Sequence, residues 1–313
     1  MRRVHGDRMQ PATRQRGLAL IIAMLVAALA AAVAISLATA QAQWTAQVAQ
    51  RRDLVQAQSI ALAGVQWTRQ ILAMTRASPF NHLGEPWALP LPATPVENGS
   101  VEGRIIDAQG LLNVNNLAIG SAPANERQRF ARVFDALQVP SATLAAIIDW
   151  VDSDAIVEPG GAEDAWYRSA PQPGLAANMP VVRVEELAAV RGVTTRVLGS
   201  LARYVTALPE NAPLNVNTAP AELLAASLDG IDAAALAALL ASRTEQPFRT
   251  LADFHARLPQ TATLIGGDAL YTVKSRYFLV SVRARQGDTI AQARALIDCD
   301  GAAWPRVRWQ TIE

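Results

Sequence analysis

The chain has 313 residues, is 51% hydrophobic and 18% charged, and carries a formal net charge of +1. Its length and composition fit one membrane helix plus a folded body of up to two small domains. Five arginines against Asp7 precede residue 18, so the remainder is −3, which argues against the basic surface that nucleic-acid binding usually demands. Cys299 is the sole cysteine, which excludes an internal disulfide, and it is expected to be buried in a strand.

The first element is a helix from Leu18 to about Met74. Arg14-Gln15-Arg16-Gly17 lead into Leu18-Ala19-Leu20-Ile21-Ile22, and no charged residue occurs from Gly17 to Gln50. At ~1.5 Å per residue, ~20 residues cross the hydrocarbon of a bilayer. The apolar run exceeds the ~7–15 residues of a secretory signal, although Ala38-Thr39-Ala40 offers a small-residue cut of that kind. An uncleaved signal anchor is a further alternative. The arginines place the N-terminus in the cytoplasm and the body beyond the inner membrane, in the periplasm. This junction resembles the N-terminus of a type IV prepilin. The resemblance implies that a prepilin peptidase cuts between Gly17 and Leu18, and that the helix stays as anchor and assembly core. Most such pilins carry glutamate at mature position five, where this chain has Ile22.

Beyond the membrane segment, Leu54, Val55, Ile60, Leu62, Val65, Ile71 and Leu72 keep helical spacing on a polar, glutamine-rich background. Ser78-Pro79 ends the helix. Proline and glycine crowd Pro79–Gly99, which reads as a loop, and Val101–Asp107 reads as a strand. Leu112-Asn113-Val114-Asn115 recurs as Leu214-Asn215-Val216-Asn217. Around these repeats the pattern predicts helices near 124–137, 141–151, 184–188, 194–204, 220–226, 233–243 and 250–258. Strands are expected over 277–285 and 289–298, joined at Gln286-Gly287-Asp288, with a last strand over 304–312.

Two clusters carry possible chemistry. Asp149, Asp152, Asp154, Glu158, Glu163 and Asp164 place six carboxylates within sixteen residues, with no Lys or Arg among them. Such a segment wants a hard cation with oxygen ligands, full solvation, or helix N-termini to cap. Zinc is disfavoured because no His or Cys lies nearby. The second cluster runs from Leu214 through Pro220, Asp229-Gly230-Ile231-Asp232 and Pro247-Phe248 to Phe254, and it resembles a helix-hairpin-helix unit. In nucleic-acid binders of that type, backbone amides of a glycine-rich hairpin grip phosphate. Asp229 and Asp232 would repel it. Asn217 or Thr218 is expected to cap the helix that begins at Pro220. No metalloprotease, nucleophile-elbow or P-loop pattern occurs, so an enzyme is not expected.

Strand, helical block, then strand hairpin, with the missing glutamate and Asp149-Trp150-Val151-Asp152-Ser153-Asp154…Gly161-Ala162-Glu163-Asp164…Tyr167, together resemble minor pseudopilin K of type II secretion. The resemblance implies an α+β, type IV pilin-like fold: a long N-terminal transmembrane helix on a small antiparallel sheet, with a large inserted α-helical domain. The expected division is a cleaved leader at 1–17, a transmembrane segment at 18–40, its periplasmic continuation at 41–76, a β domain from 77–111 and 271–313, and an insert at 112–270 with the hairpin unit at 214–258. It further implies structural Ca²⁺ held by Asp152, Asp154, Glu163 and Asp164. The implied partners are minor pseudopilins I and J, the prepilin peptidase, the inner membrane and, as a further contact, secreted substrate proteins, with no nucleic acid. The expected role is to cap the tip of the periplasmic pseudopilus and help initiate it. The alternative is a membrane-anchored DNA-binding component of a DNA-uptake system.

Overall fold

The computed structural model describes residues 14–75, 77–118, 124–301 and 304–313. The chain divides into two compact units, Met1–Gln56 and Ala57–Glu313. Helix α1, Arg14–Thr75, passes through both. Its sequence holds no proline and is rich in Ala, Leu and Gln, which are good helix formers. In the first unit its side chains from Leu18 onward are mainly exposed.

In the second unit, Ala57, Ala61, Val65 and Leu72 are buried on α1. The three- to four-residue steps between them, completed by buried Thr68, keep them on one helix face. This face lies against a sheet of β1 (Leu91–Val96), β2 (Gly99–Asp107), β3 (Tyr277–Gln286), β4 (Thr289–Asp298) and β5 (Arg306–Ile312), antiparallel and in that order. Period-two alternation puts Phe278, Val280, Val282 and Ala284 of β3, with Ala293, Ala295 and Ile297 of β4, into the same core. Small residues let helix and sheet approach closely. A Cβ on Gly64 would lie 2.6 Å from the Val282 side chain.

β1 corrects the reading of 79–99 as loop. Its two prolines, Pro92 and Pro95, leave it as an edge strand, interrupted by a register shift between Leu91 and Thr94. Cys299 also departs from expectation. It is half-buried just past the end of β4, and burial pushes its thiol up to about 12.

β2 and β3 are neighbours in the sheet but are separated in sequence by a helical region with its own core. Its helices are α2 (Ala124–Ala136), α3 (Ser141–Val151), α4 (Asp164–Ser169), α5 (Thr195–Leu201), α6 (Ala221–Ser227), α7 (Ala233–Glu245) and α8 (Leu251–Arg257). Thr194, Asp232 and Thr250 cap α5, α7 and α8 through their side-chain oxygens.

The repeated tetrapeptide is a repeated structural device. Leu112–Asn113 pairs in parallel with Val205–Thr206, and Leu214–Asn215 with Tyr271–Thr272. Asn113 and Asn215 each accept a hydrogen bond from the backbone two residues on. Asn115 clamps the backbone of Val181, accepting from its N–H at 3.0 Å and donating to its carbonyl at 2.8 Å. Asn217 clamps Phe248 in the same way, at 2.8 Å and 2.8 Å. Downstream, Glu186 accepts from Val182 N–H, as Asp253 does from Arg249 N–H. Leu187 and Phe254 are then the buried side chains one residue on.

Two expectations change here. Tyr271 lies in the helical core and Tyr271–Thr272 pairs with Leu214–Asn215, so these residues belong with the insert and not with the β domain whose boundary was expected at 271, while the returning strand begins at Tyr277 as expected. Asn217 and Thr218 do not cap α6, whose N-cap is Pro220. Asn217 is committed to Phe248, and Thr218 donates to Asp107.

Asn217→Ala strips partners from the buried Phe248 backbone and should cost about 2–4 kcal/mol. Asn211→Ala, at an exposed site, should stay within about 0.5 kcal/mol. Denaturant unfolding of the two variants checks this.

Candidate metal centre

Helix α3 is apolar and buried along most of its length, and it delivers Asp149 and Asp152 to its C-terminal end. Asp149 is fully buried, and its Oδ1 accepts from Glu158 N–H at 3.0 Å. A Cβ on Gly161 would fall 2.0 Å from Asp149 Oδ2, so only glycine lets the loop close over this carboxylate. Asp154 accepts from Ile156 N–H at 2.8 Å, which turns the chain back. Glu163 is buried at the N-cap of α4.

Asp152, Asp154 and Glu163 each place a carboxylate oxygen within 4.8 Å of the other two. Asp152 Oδ1 and both Glu163 oxygens are buried without a hydrogen-bond donor. Asp149 Oδ2 and Asn178 Oδ1 share that condition. Asn178, in a left-handed conformation with φ 46°, donates its Nδ2 to Asp154 O at 3.1 Å. Buried carboxylates facing one another raise the free energy of the ionised forms. Burial, then like charge from Asp154 and Asp149, pushes Asp152 up to about 6. Burial and the neighbouring Asp149 and Asp152 raise Glu163 as well.

The structure brings together three of the four expected ligands. Asp164 turns away: it pairs with Arg168 at 2.6 Å and accepts from Ala176 N–H at 3.0 Å, which fixes the returning loop. Glu158 pairs with Arg127 of α2 at 2.5 Å. Arg191 braces the other side, donating to Gly161 O at 2.9 Å and lying over the Trp166 ring. Tyr167 is packing, edge-on to Trp150 and Trp166. Asn178, fourteen residues past the acidic run, ties the return path to the loop through Asp154 O, a contact that spacing could not reveal. Its carbonyl is a hard donor of the kind Ca²⁺ takes beside carboxylates.

The hairpin between α6 and α7 is filled by the chain itself. Asp229 is bound by Arg132, which also donates to Leu228 O at 3.0 Å. Asp232 accepts from Ala235 N–H at 2.7 Å, so a carboxylate already occupies the helix N-terminus. Gly230 has φ 70°, and a Cβ there would lie 2.1 Å from Thr261 O.

Gly17, Leu18 and Ile22 lie exposed on α1. The leader before Arg14 falls outside the described residues. This helix is long and apolar enough to cross a membrane.

Residues 110–210 and 214–274 match two family models, both described as type II secretion system (T2SS), protein K. The chain is 34% identical over 236 residues to "Type II secretion system protein K" of Aeromonas hydrophila, covering 69% of this chain and 71% of that one. It is 30% identical over 311 residues to the protein of the same name from Klebsiella pneumoniae, covering 92% and 94%. Its fold matches a chain in the crystal structure of the GspK-GspI-GspJ complex from the enterotoxigenic Escherichia coli type 2 secretion system. That match has a TM-score of 0.71 at 21% identity and covers 85% of this chain and 99% of that one.

Without cation, Asp152 binds its proton more tightly folded than unfolded. Stability should therefore fall as pH rises from about 4 to about 6. Asp152→Asn should flatten that part of the profile, measured by thermal unfolding in EDTA.

Proposed function

The chain belongs to the type II secretion system protein K family and is a minor pseudopilin, and on that basis we propose that it caps the tip of the periplasmic pseudopilus and helps to start it. The role is assembly, not turnover. The anchor helix is held in the inner membrane with its N-terminus cytoplasmic, in line with the arginines before Gly17 and the uncharged run after it. The prepilin peptidase removes residues 1–17.

The observation that carries the tip assignment is Ile22. In pilins the glutamate at this position pairs with the N-terminal amine of a neighbouring subunit, and a carboxylate at membrane depth is tolerable only when paired. A chain with isoleucine there makes no such demand, which suits a subunit with nothing ahead of it. The related fold solved within a GspK-GspI-GspJ complex supports partnership with minor pseudopilins I and J. Co-expression with I and J should yield a ternary complex on size exclusion. Separate elution of all three in every pairing would contradict the reading.

We also propose that the acidic loop holds a structural Ca²⁺. The residues fit: Asp152, Asp154 and Glu163 converge, and buried acceptors on Asp149, Asp152, Glu163 and Asn178 lack donors. The cation would supply positive charge to those oxygens and pin the loop between α3 and α4. At about a hundred times the dissociation constant it adds ~2.7 kcal/mol, roughly 5–10 °C in Tm for a body of this size. Glu163→Gln should lose most of that gain, and EDTA should reverse it. An unchanged Tm at millimolar Ca²⁺ would contradict the assignment.

A further inference from the structure

The first unit leaves one large side chain unexplained. Trp44 is 65% exposed on α1, among Gln41, Gln43, Thr45 and Gln47. It is the only aromatic residue between Leu18 and Gln66. Leu18–Ala40 is 23 residues, about 35 Å of helix, and the ordinary tilt of about 20° brings its span close to the ~30 Å of bilayer hydrocarbon. Trp44 lies about 6 Å further along the axis, at headgroup depth.

No other group fixes that end of the helix. The first charges beyond the apolar run are Arg51 and Arg52, about 16 Å past Ala40. Cleavage after Gly17 removes Arg14 and Arg16, so the cytoplasmic end keeps only the new amine. With the same tilt, Leu18 to Trp44 spans about 37 Å along the membrane normal, so a helix that enters the ~30 Å of hydrocarbon at Leu18 leaves Trp44 about 7 Å beyond it, within the headgroup layer. An indole has an apolar body and a donor N–H, and tryptophan collects at this boundary for that reason.

We propose that Trp44 is a lipid-contact residue that seats in the headgroup layer of the outer leaflet of the inner membrane and sets the depth of the anchor. The partner surface is the lipid interface itself. The inference rests on the proposal that α1 crosses the inner membrane.

The test uses the full mature chain in phosphatidylethanolamine–phosphatidylglycerol vesicles carrying doxyl lipids labelled at shallow or deep acyl positions. The fluorescence difference between the unmodified chain and Trp44→Phe isolates Trp44, because the other six tryptophans are common to both. Circular dichroism confirms that the two chains have the same helix content. The shallow quencher should reduce the difference signal at least about twofold more than the deep one. Equal or deeper quenching, or no quenching of a chain that floats with the vesicles, would overturn the placement of Trp44 and leave the anchor intact. A chain that does not float with the vesicles at all would overturn the anchor reading, and this inference with it.

Discussion

Asp107 is a buried carboxylate whose hydrogen-bond partners among the described residues are all neutral, and it stands where the chain leaves the sheet for the helical region. Its Oδ2 accepts from Ser275 Oγ at 2.6 Å, Thr218 Oγ1 at 2.6 Å and Asn215 Nδ2 at 2.9 Å, and its Oδ1 accepts from Gln109 N–H at 2.9 Å. Burial raises this group above its ordinary value, against the pull of those donors. The donors come from the outgoing strand end, from the second Leu-Asn-Val-Asn repeat and from the segment that returns to β3. A buried charge is tolerated only with its hydrogen bonds complete. Outgoing chain, repeat and returning chain must therefore meet in one arrangement. A large helical region can then interrupt a small sheet without separating β2 from β3.

The clamps of Asn115 and Asn217 extend the same logic inward. Each closes a half of the helical region by holding a backbone segment far along the chain. In the second half the chain passes from α7 to its clamped residue Phe248 through two residues, Gln246 and Pro247. In the first half the path from α3 to Val181 is far longer and contains the acidic loop. The acidic loop is thus carried on extra length in one copy of a shared frame. Its carboxylates can converge because the frame beneath them is complete without them.

Elements with a strong local period were legible in the sequence: α1, the β3–β4 hairpin and most of the helices. So was the repeat, whose second asparagines, Asn115 and Asn217, are the two backbone clamps. The missed features depend on partners that no local pattern names. β1 hid behind two prolines that only an edge strand tolerates. Asp164 has the right charge but faces Arg168 and Ala176. Asn178 reaches the acidic loop, at Asp154 O, from a proline- and glycine-rich return path without periodicity. Thr218 sits where a helix cap is expected, yet a buried carboxylate over a hundred residues away outcompetes the helix for its hydroxyl. Polar contacts decided all of these positions except β1, over a hundred residues apart for Thr218 and within one turn of helix for Asp164 and Arg168.

The proposed tip role requires one covalent event, the conversion of residue 18 into a new N-terminus. The decisive measurement is the intact mass and terminal sequence of the chain after co-expression with its prepilin peptidase. A mature chain that begins at Leu18 is the predicted result. An intact leader, or a cut after Ala40 that discards the assembly helix, would contradict the account.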